Sequence, residues 1–247
     1  MYSRSFFFPI KMPANNIDKW QCLDGKETID FLIKTKKSFI RWGDGETKLL
    51  AGANLFFQAY TKKLSNSMMN EILIPANKGD FLLGLPFTLM SKDYMKYSEG
   101  VYLKTLLTYH LMNSYLSKTN KYGDAHLFRP LSTLEASDVS VLWDGLNVIV
   151  VSSDSDAKKI IGNISKPLAV EQLTCEPKDS FERLDDLFDN LIAMLIKYDK
   201  KMTRILISAG PGGKVLASRM VRKGWIVYDV GHFFKWKGRG LTNSKSI

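Results

Sequence analysis

The chain has 247 residues, 45% hydrophobic and 24% charged, which is typical of a globular protein with a sizeable core and excludes a chain disordered throughout. Its net charge of +10 favours anionic partners, such as phosphorylated substrates, nucleic acid or an acidic membrane surface. Two distant cysteines and the lack of any apolar run near the roughly 18 residues of a membrane span exclude a disulfide framework and a transmembrane protein. We therefore expect a cytoplasmic protein.

We expect a single domain over 1–247, with an irregular lead-in at 1–25 and a flexible basic tail at 237–247. Between these ends, the predicted elements alternate between helices and strands. In chain order they are a helix at 27–36, a strand at 38–42, a helix through 49–50, a strand at 81–84, a helix at 102–115, a strand at 146–152, a helix at 154–161, a strand at 168–173, a helix at 179–197, a strand at 204–209, a helix at 214–222 and a strand at 225–230.

Two of these elements have the strongest patterns. The run 146–152 is continuous, apolar and rich in β-branched residues, which indicates a buried strand. Asp179 and Glu182 are spaced as a capping box at the start of the helix 179–197. That helix has one apolar stripe at spacings of three and four, formed by Phe181, Leu184, Phe188, Leu191 and Leu195.

Strands that alternate with helices at this spacing indicate an α/β, Rossmann-like fold: a mostly parallel sheet with helices on both faces. In such sheets, ligands bind at the carboxyl ends of the strands. The motifs of interest in this sequence all follow predicted strands. We therefore expect them to meet at one edge of the sheet.

The first motif, from Arg41 to Glu46, reads Arg-Trp-Gly-Asp-Gly-Glu. Asp44 and Glu46 can reach one hard cation, and Mg²⁺ or Mn²⁺ prefers oxygen ligands that substrate phosphates often complete. Gly43 and Gly45 allow the backbone to approach a ligand closely, and Arg41 can bind phosphate through a charge-assisted hydrogen bond. The alternative is a turn in which Glu46 only favours a helix start.

The second motif, 208–214, reads Ser-Ala-Gly-Pro-Gly-Gly-Lys and also joins a strand to a helix. Backbone amides at such a helix start bind phosphate or a ribose edge, so Gly210, Pro211 and Lys214 are candidate nucleotide-binding residues. The order of residues is neither that of a Walker A loop nor GxGxxG. The alternative is a tight turn between strand and helix.

Two further residues are candidates for the same edge. His232 follows the last predicted strand and a glycine, although an ordinary surface histidine is the alternative. Arg129 precedes Pro130 in an extended segment, from which a guanidinium can reach an anionic ligand.

Other polar residues have simpler interpretations. Asp124 and His126 lack a third metal ligand nearby, so a metal site there is disfavoured. His110 continues an apolar helix face and is interpreted as a core or edge histidine. The tail combines aromatic residues with Lys235, Lys237, Arg239 and Lys245. It is either a frayed basic terminus or a contact to a membrane surface or nucleic acid.

Taken together, these motifs resemble the bacterial glycosyltransferases of the GT-D fold, a family first described as a domain of unknown function. The family's Asp-x-Glu motif is matched by residues 43–46, and its mid-chain segment ending Arg-Pro by residues 125–130. Its Gly-Pro turn with a Val-Leu-Ala helix is matched by 207–217, and its strand ending Asp-x-Gly-His by 228–232. The sequence departs from the family pattern at 152–156 and 233–236, where donor or acceptor would be recognised.

The resemblance implies metal-dependent transfer of a hexose, glucose or galactose, from a UDP-sugar to a hydroxyl of a glycan acceptor that is lipid-linked or protein-linked. It implies Mn²⁺ or Mg²⁺ at Asp44 and Glu46 and a catalytic or phosphate-orienting role for His232. It also implies bacterial polysaccharide or glycoprotein synthesis. The basic charge, for its part, predicts a peripheral membrane contact or a general attraction of anions.

Two alternative functions, each inferred from the residues without the resemblance, stay open. A methyltransferase that uses the Gly210 motif would have no use for the Asp44 and Glu46 pair. A nucleic-acid-binding module would explain the charge of +10, but the sequence has none of the recognisable nucleic-acid motifs, so no nucleic acid is expected.

Overall fold

The computed structural model describes residues 20–86, 108, 110–129 and 134–235. Within them, eight parallel strands form one sheet in the order β1-β4-β3-β2-β8-β7-β5-β6. The strands are β1 Gln21–Cys22, β2 Phe39–Arg41, β3 Leu82–Leu85, β4 Lys121–Asp124, β5 Asn147–Ser152, β6 Ala169–Thr174, β7 Thr203–Ser208 and β8 Val227–Asp229. The predicted parallel α/β sheet is therefore confirmed.

Helices connect the strands. Their bounds are α1 Gly25–Thr35, α2 Asp44–Leu50, α3 Lys62–Met68, α4 Ile74–Lys78, α5 Ala136–Ser140, α6 Ala157–Ile164, α7 Leu184–Leu195 and α8 Gly210–Arg222, with a π-helical turn, Met69–Leu73, joining α3 to α4. Residues 110–115 are also helical, as predicted, whereas 102–107 and 109 lie outside the described residues. None of the helices in the described ranges is long and apolar enough to cross a membrane.

Helices cover both faces of the sheet because successive strand residues point to opposite sides. On one face, Ile40, Ile149 and Ile205 pack with helices that include α7 and α8. On the other face, their strand neighbours, such as Phe39 and Val150, pack with α1 and α6. Each central strand thus needs two apolar faces, which explains the continuous apolar run in β5.

Several predicted boundaries of helices and strands were wrong. The motifs around Asp44 and Gly210 were expected as loops ahead of their helices, but both lie in the first turns of α2 and α8. The expected irregular segment 1–25 contains β1 at its end, since Gln21–Cys22 pairs with β4. Residues 1–19 and 236–247 lie outside the described part of the chain.

The capping box expected at the start of the helix 179–197 was also wrong. The helix α7 begins at Leu184, and Asp179 has a φ of +48°, in the left-handed region. Its carboxylate instead accepts a hydrogen bond from the amide of Ala59, 2.7 Å away. The apolar stripe itself was predicted correctly, because Phe181, Leu184, Leu191 and Leu195 are buried.

Because all the strands are parallel, every strand ends at the same edge of the sheet, and the loops that follow them meet there. The central pair is β2 and β8, which come from distant parts of the chain. The chain extends outward from β2 through β3 to β4 on one side, and β5, β6 and β7 lie on the other. Such a change of direction leaves a crevice at the carboxyl edge.

Candidate active site

A cavity of about 780 Å³ opens at the carboxyl edge of the sheet. This size suits a small organic molecule rather than a single ion. Its walls come from the loops and helix starts after the strands β2 to β8, and from residues 54–57. All ten sequence-predicted site residues line it: Arg41, Gly43, Asp44, Gly45, Glu46, Arg129, Gly210, Pro211, Lys214 and His232.

The two carboxylates of the first motif have different surroundings. Glu46 is only 8% exposed, and its Oε2 accepts a hydrogen bond of 2.7 Å from the amide of Gly43, which closes the first turn of α2. Asp44 has a side chain that is 46% exposed and forms an ion pair with Lys48, one turn later in the same helix, at 3.2 Å. Glu46 is therefore built into the fold, whereas Asp44 is available to a ligand.

A buried ion-pair cluster lies beneath Glu46. The Lys214 ammonium, in a residue 4% exposed, lies 2.6 Å from Asp229 Oδ2 and 3.5 Å from Glu46 Oε1. Asp229 Oδ2 also lies 3.5 Å from Arg41 Nε and accepts a hydrogen bond of 3.1 Å from the Arg41 amide. Burial raises the pKa of Asp229, but the charges of Lys214 and Arg41 lower it by a larger amount. The pKa of Asp229 is therefore below its usual value. Asp229 is thus the anion that holds the two cations of this cluster in place.

Two guanidinium groups face the cavity. Arg41 Nη1 donates a hydrogen bond of 3.3 Å to the carbonyl of Ala125, which fixes the Arg41 side chain across β2 and the loop after β4. Burial and the nearby Arg41 lower the pKa of Arg129, while Asp44, Glu46 and Asp229 act in the opposite direction. Arginine stays charged at neutral pH despite such a shift. The cavity therefore holds two arginine cations close enough to repel each other.

Gly210 and Pro211 form the first turn of α8, directly after β7. Proline suits this position because its missing N–H would have no partner in the helix. A Cβ at Gly212 would come 2.7 Å from the amide nitrogen of Phe181, so the next turn packs tightly against the loop before α7. These glycines thus serve close packing as well as any approach of a ligand.

His232 lies between the cations and an aromatic ring. Burial, followed by the charges of Lys235, Arg41, Arg129 and Lys214, lowers its pKa from 6.5 to about 4. Its ring meets that of Phe57 edge to face, with centroids 5.9 Å apart. His232 is therefore neutral at pH 7, and one of its nitrogens can accept a hydrogen bond or a proton.

The other two histidines, His126 and His110, lie in different surroundings. His126 is buried in the cavity wall, with Nδ1 3.5 Å from Asp124 Oδ1. His110 is exposed, so of the two expected positions, core or edge, the core is wrong. Pro130 and the tail beyond Lys235 lie outside the described residues.

Metal ligands are few at this edge. In the ranges that the structure describes, no group of three His, Cys, Asp or Glu side chains could hold a metal ion. Asp44 and Glu46 offer two carboxylates, and Mg²⁺ or Mn²⁺ commonly binds through one or two carboxylates while substrate phosphates and water complete its coordination. The pair therefore fits a cation that arrives with a phosphorylated ligand, not a metal enclosed by protein ligands alone.

Two parts of the site, Asp229 and the segment 54–57, were not predicted from the sequence. Asp229 appeared only as part of a strand ending, although its position between Arg41 and Lys214 in the fold makes it the centre of the buried cluster. The segment 54–57 carries no motif; its one signal is the adjacent aromatic pair Phe56 and Phe57 after a helix.

Comparison with known proteins identifies the family to which this chain belongs. The sequence model of the family "Glycosyltransferase GT-D fold" matches residues 39–236, most of the chain. The chain belongs to this family, and its enzyme class is that of a glycosyltransferase. Membership of this family gives no support to the methyltransferase and nucleic-acid alternatives.

Two streptococcal proteins are similar over most of this chain. It is 25% identical over 229 residues to glycosyltransferase GlyD of Streptococcus pneumoniae serotype 4, which covers 87% of this chain and 27% of that protein. It is 22% identical over 232 residues to the probable glycosyl transferase Gly of Streptococcus gordonii, covering 88% of this chain and 33% of that protein. The chain thus spans about a quarter to a third of the length of these relatives.

Solved structures share the fold. A structure of the domain of unknown function 1792, described as having a distinct glycosyltransferase fold, superposes with a TM-score of 0.73 at 21% identity, over 91% of this chain and 83% of that one. A glycosyltransferase of the same domain type from Streptococcus sanguinis superposes with a TM-score of 0.73 at 18% identity, over 90% of this chain and 85% of that one. At such identities the likeness concerns the fold.

Proposed function

We propose that this chain transfers a hexose from a UDP-sugar to a hydroxyl of a glycan acceptor, with Mn²⁺ or Mg²⁺ bound between Asp44, Glu46 and the diphosphate of the donor. The observation that carries the proposal is the charge arrangement of the cavity. Arg41 and Arg129 face the same space as an exposed carboxylate, Asp44, at the carboxyl edge of the sheet. A diphosphate with a bound divalent cation fits this arrangement, because its oxygens would meet the arginines and its cation would meet Asp44.

The arginines have the chemistry that the leaving group needs. During transfer, the bond between the anomeric carbon and the diphosphate oxygen breaks, and the electron pair leaves with the diphosphate. The acceptor oxygen forms the new bond to that carbon and loses its proton. Arg41 and Arg129 lie where they would stabilise the charge that grows on the leaving diphosphate. A bound divalent cation would supply further neutralisation of the same charge.

The other predicted residues have supporting roles in this proposal. Amides at the start of α8, near Gly210, approach the phosphates or the ribose, because a helix N-terminus favours anions. Lys214 is deeply paired with Asp229, so we propose that it orients Glu46 and does not itself bind phosphate. His232, neutral at pH 7, orients the diphosphate or receives the acceptor proton.

We further propose that the acceptor is lipid-linked or protein-linked, in bacterial polysaccharide or glycoprotein synthesis, and that the basic surface brings the cytoplasmic enzyme to the membrane. The net charge of +10 supports this because anionic headgroups attract lysine and arginine.

A panel of nucleotide sugars tests the proposal. Each is added with and without Mn²⁺, and both the melting temperature and nucleoside diphosphate release are measured. We expect UDP-glucose or UDP-galactose with Mn²⁺ to raise the melting temperature and to be hydrolysed slowly, since a ligand that binds only the folded state stabilises it. A response to S-adenosylmethionine, with none to any nucleotide sugar, would contradict the proposal.

A further inference from the structure

The charged residues Arg41 and Arg129 form the floor of the cavity, and an exposed aromatic ring lies at its mouth. Phe56 lines the cavity and is 90% exposed. Single exposed apolar residues are common on proteins, and Ile196, 82% exposed and away from this cavity, is one of them. Phe56 differs because it borders the cavity where a sugar is transferred, beside Lys178, whose ammonium lies 5.1 Å from the ring centroid.

The chain segment that carries this ring is held firmly from behind. Leu55 and Gln58 exchange backbone hydrogen bonds of 2.9 and 3.3 Å, so Phe56 and Phe57 form the tip of a tight turn. Gln58 is buried beneath the tip. The turn is therefore closed on itself and presents Phe56 at its tip to the cavity.

Asp179 fastens this turn to the loop before α7. Its amide donates a hydrogen bond of 3.0 Å to the carbonyl of Phe57, and its carboxylate accepts one of 2.7 Å from Ala59. Asp179 makes these contacts from the left-handed region, at a φ of +48°, which is unfavourable for a residue with a side chain. The backbone that carries the exposed ring is thus held by specific contacts, which lowers the backbone entropy that ligand binding must overcome.

The two tip residues point to different tasks. Phe57 is half-buried against His232, and a Cβ at Gly210 would come 3.4 Å from its ring, so it packs beside the proposed phosphate site. Phe56 stays outside this packing. A donor diphosphate at Arg41 and Arg129 occupies the floor of the cavity, whereas a glycan acceptor is a chain that must pass through the mouth.

We propose that Phe56 is the stacking surface for a sugar ring of the glycan acceptor, with Lys178 beside it to donate hydrogen bonds to the sugar hydroxyls. This inference rests on the proposed function. A pyranose presents an apolar C–H face, and an aromatic side chain offers a large contact area with few rotamers to lose. Phe56 is therefore an acceptor-binding residue, distinct from the residues that bind the diphosphate.

A glycan array is the test, with printed bacterial oligosaccharides as the probe and UDP with Mn²⁺ in the buffer. The proteins compared are the wild type, Phe56→Ala, Phe56→Trp and the control Ile196→Ala. We expect Phe56→Ala to lower binding of the retained glycans about five- to tenfold, as the loss of an aromatic contact of this kind implies. Phe56→Trp and Ile196→Ala should bind as the wild type does.

Equal binding by Phe56→Ala, or no glycan retained by the wild type, would overturn the inference. UDP affinity, from thermal shift on the same proteins, separates this result from a failure of the proposed function. If the wild type shows no shift with UDP and Mn²⁺, the donor assignment is wrong. If Phe56→Ala loses the UDP shift but keeps its glycans, the ring stacks on the uracil instead and the acceptor role is refuted.

Discussion

The guanidinium of Arg41 occupies the space in which any side chain at Gly231 would begin. A Cβ added to Gly231 would come 2.9 Å from Arg41 Nη1 and closer still to Nη2 and Cζ. Gly231 also has a φ of +54°, which disfavours every residue with a side chain. The glycine after β8 thus sets the position of an arginine at the end of β2, the neighbouring strand.

We predict that Gly231→Ala displaces Arg41 from the cavity. The free energy of unfolding should fall by about 1–3 kcal/mol from steric overlap and backbone strain. The affinity for UDP should fall at least about tenfold, because a misplaced guanidinium cannot meet the diphosphate. Urea denaturation and isothermal titration with UDP measure the two effects.

The matched control is Gly162→Ala in α6, where an added Cβ meets nothing within 4 Å. This change should leave UDP binding intact and raise stability slightly, because alanine favours a helix. If Gly231→Ala binds UDP like this control, the position of Arg41 is irrelevant to the donor.

Much of this arrangement could be predicted from the sequence, for identifiable reasons. The apolar run of β5 and the stripe of α7 are local patterns, so these elements and the parallel sheet could be predicted. The short elements β1, β4, α3, α4 and α5 were not predicted, because they have no comparable pattern. Because every strand end of a parallel sheet meets at one edge, the ten predicted site residues were expected to converge, and they line one cavity.

Other features depend on contacts between distant segments. Asp229 gains its importance only when β8 lies beside β2 and α8 brings Lys214 against it, and no local spacing encodes that strand order. The start of α8 was misplaced because glycines suggested a loop, although Pro211 in a first turn is a helix-start signal. The left-handed Asp179 is likewise fixed by a distant contact, the hydrogen bond that its carboxylate accepts from the amide of Ala59.

Asp229→Asn should be strongly destabilising. The change leaves the buried Lys214 and Arg41 without their shared anion, and breaking a buried ion pair in this way costs about 3–5 kcal/mol. Chemical denaturation measures the loss. Asp186→Asn removes the same charge from a well-exposed pair with Arg183 and should cause no measurable change. Similar stability of the two variants would show that the buried cluster is unimportant.

His232 should make stability depend on pH in a defined window. Its pKa is about 4 in the folded protein against 6.5 for an unperturbed histidine, so the unfolded chain binds more protons between these values. The destabilisation that results from this difference is fully present below pH 4, decreases as pH rises and is absent above 6.5. The melting temperature of the wild type should therefore rise more steeply than that of His232→Gln over this range. Parallel curves would contradict the assignment.

Removal of residues 237–247 tests the role proposed for the basic tail. The truncated protein should release UDP from the donor as the full chain does and should bind vesicles containing anionic lipid more weakly, because lysine and arginine next to such a surface each contribute about 1 kcal/mol. Co-sedimentation with vesicles of phosphatidylglycerol and phosphatidylcholine measures binding. Equal sedimentation of both proteins would exclude the tail as a membrane contact.

The two carboxylates of the first motif are expected to differ when they are neutralised. Glu46→Gln alters a buried group that caps α2 and faces Lys214, so it should reduce both stability and transfer. Asp44→Asn changes a half-exposed group whose described partner is Lys48 on the same helix, so stability should change little. Asp44 is therefore the residue on which a metal role can be tested without disturbing the fold.

The most direct test of the proposed cation and diphosphate site is the affinity for UDP, measured by isothermal titration with and without Mn²⁺, in the wild type, Asp44→Asn and the exposed control Asp30→Asn. We predict that Mn²⁺ strengthens UDP binding by the wild type and by Asp30→Asn at least about tenfold, and that Asp44→Asn loses most of this gain. The same UDP affinity with and without Mn²⁺ in the wild type, or an undiminished gain in Asp44→Asn, would contradict the account.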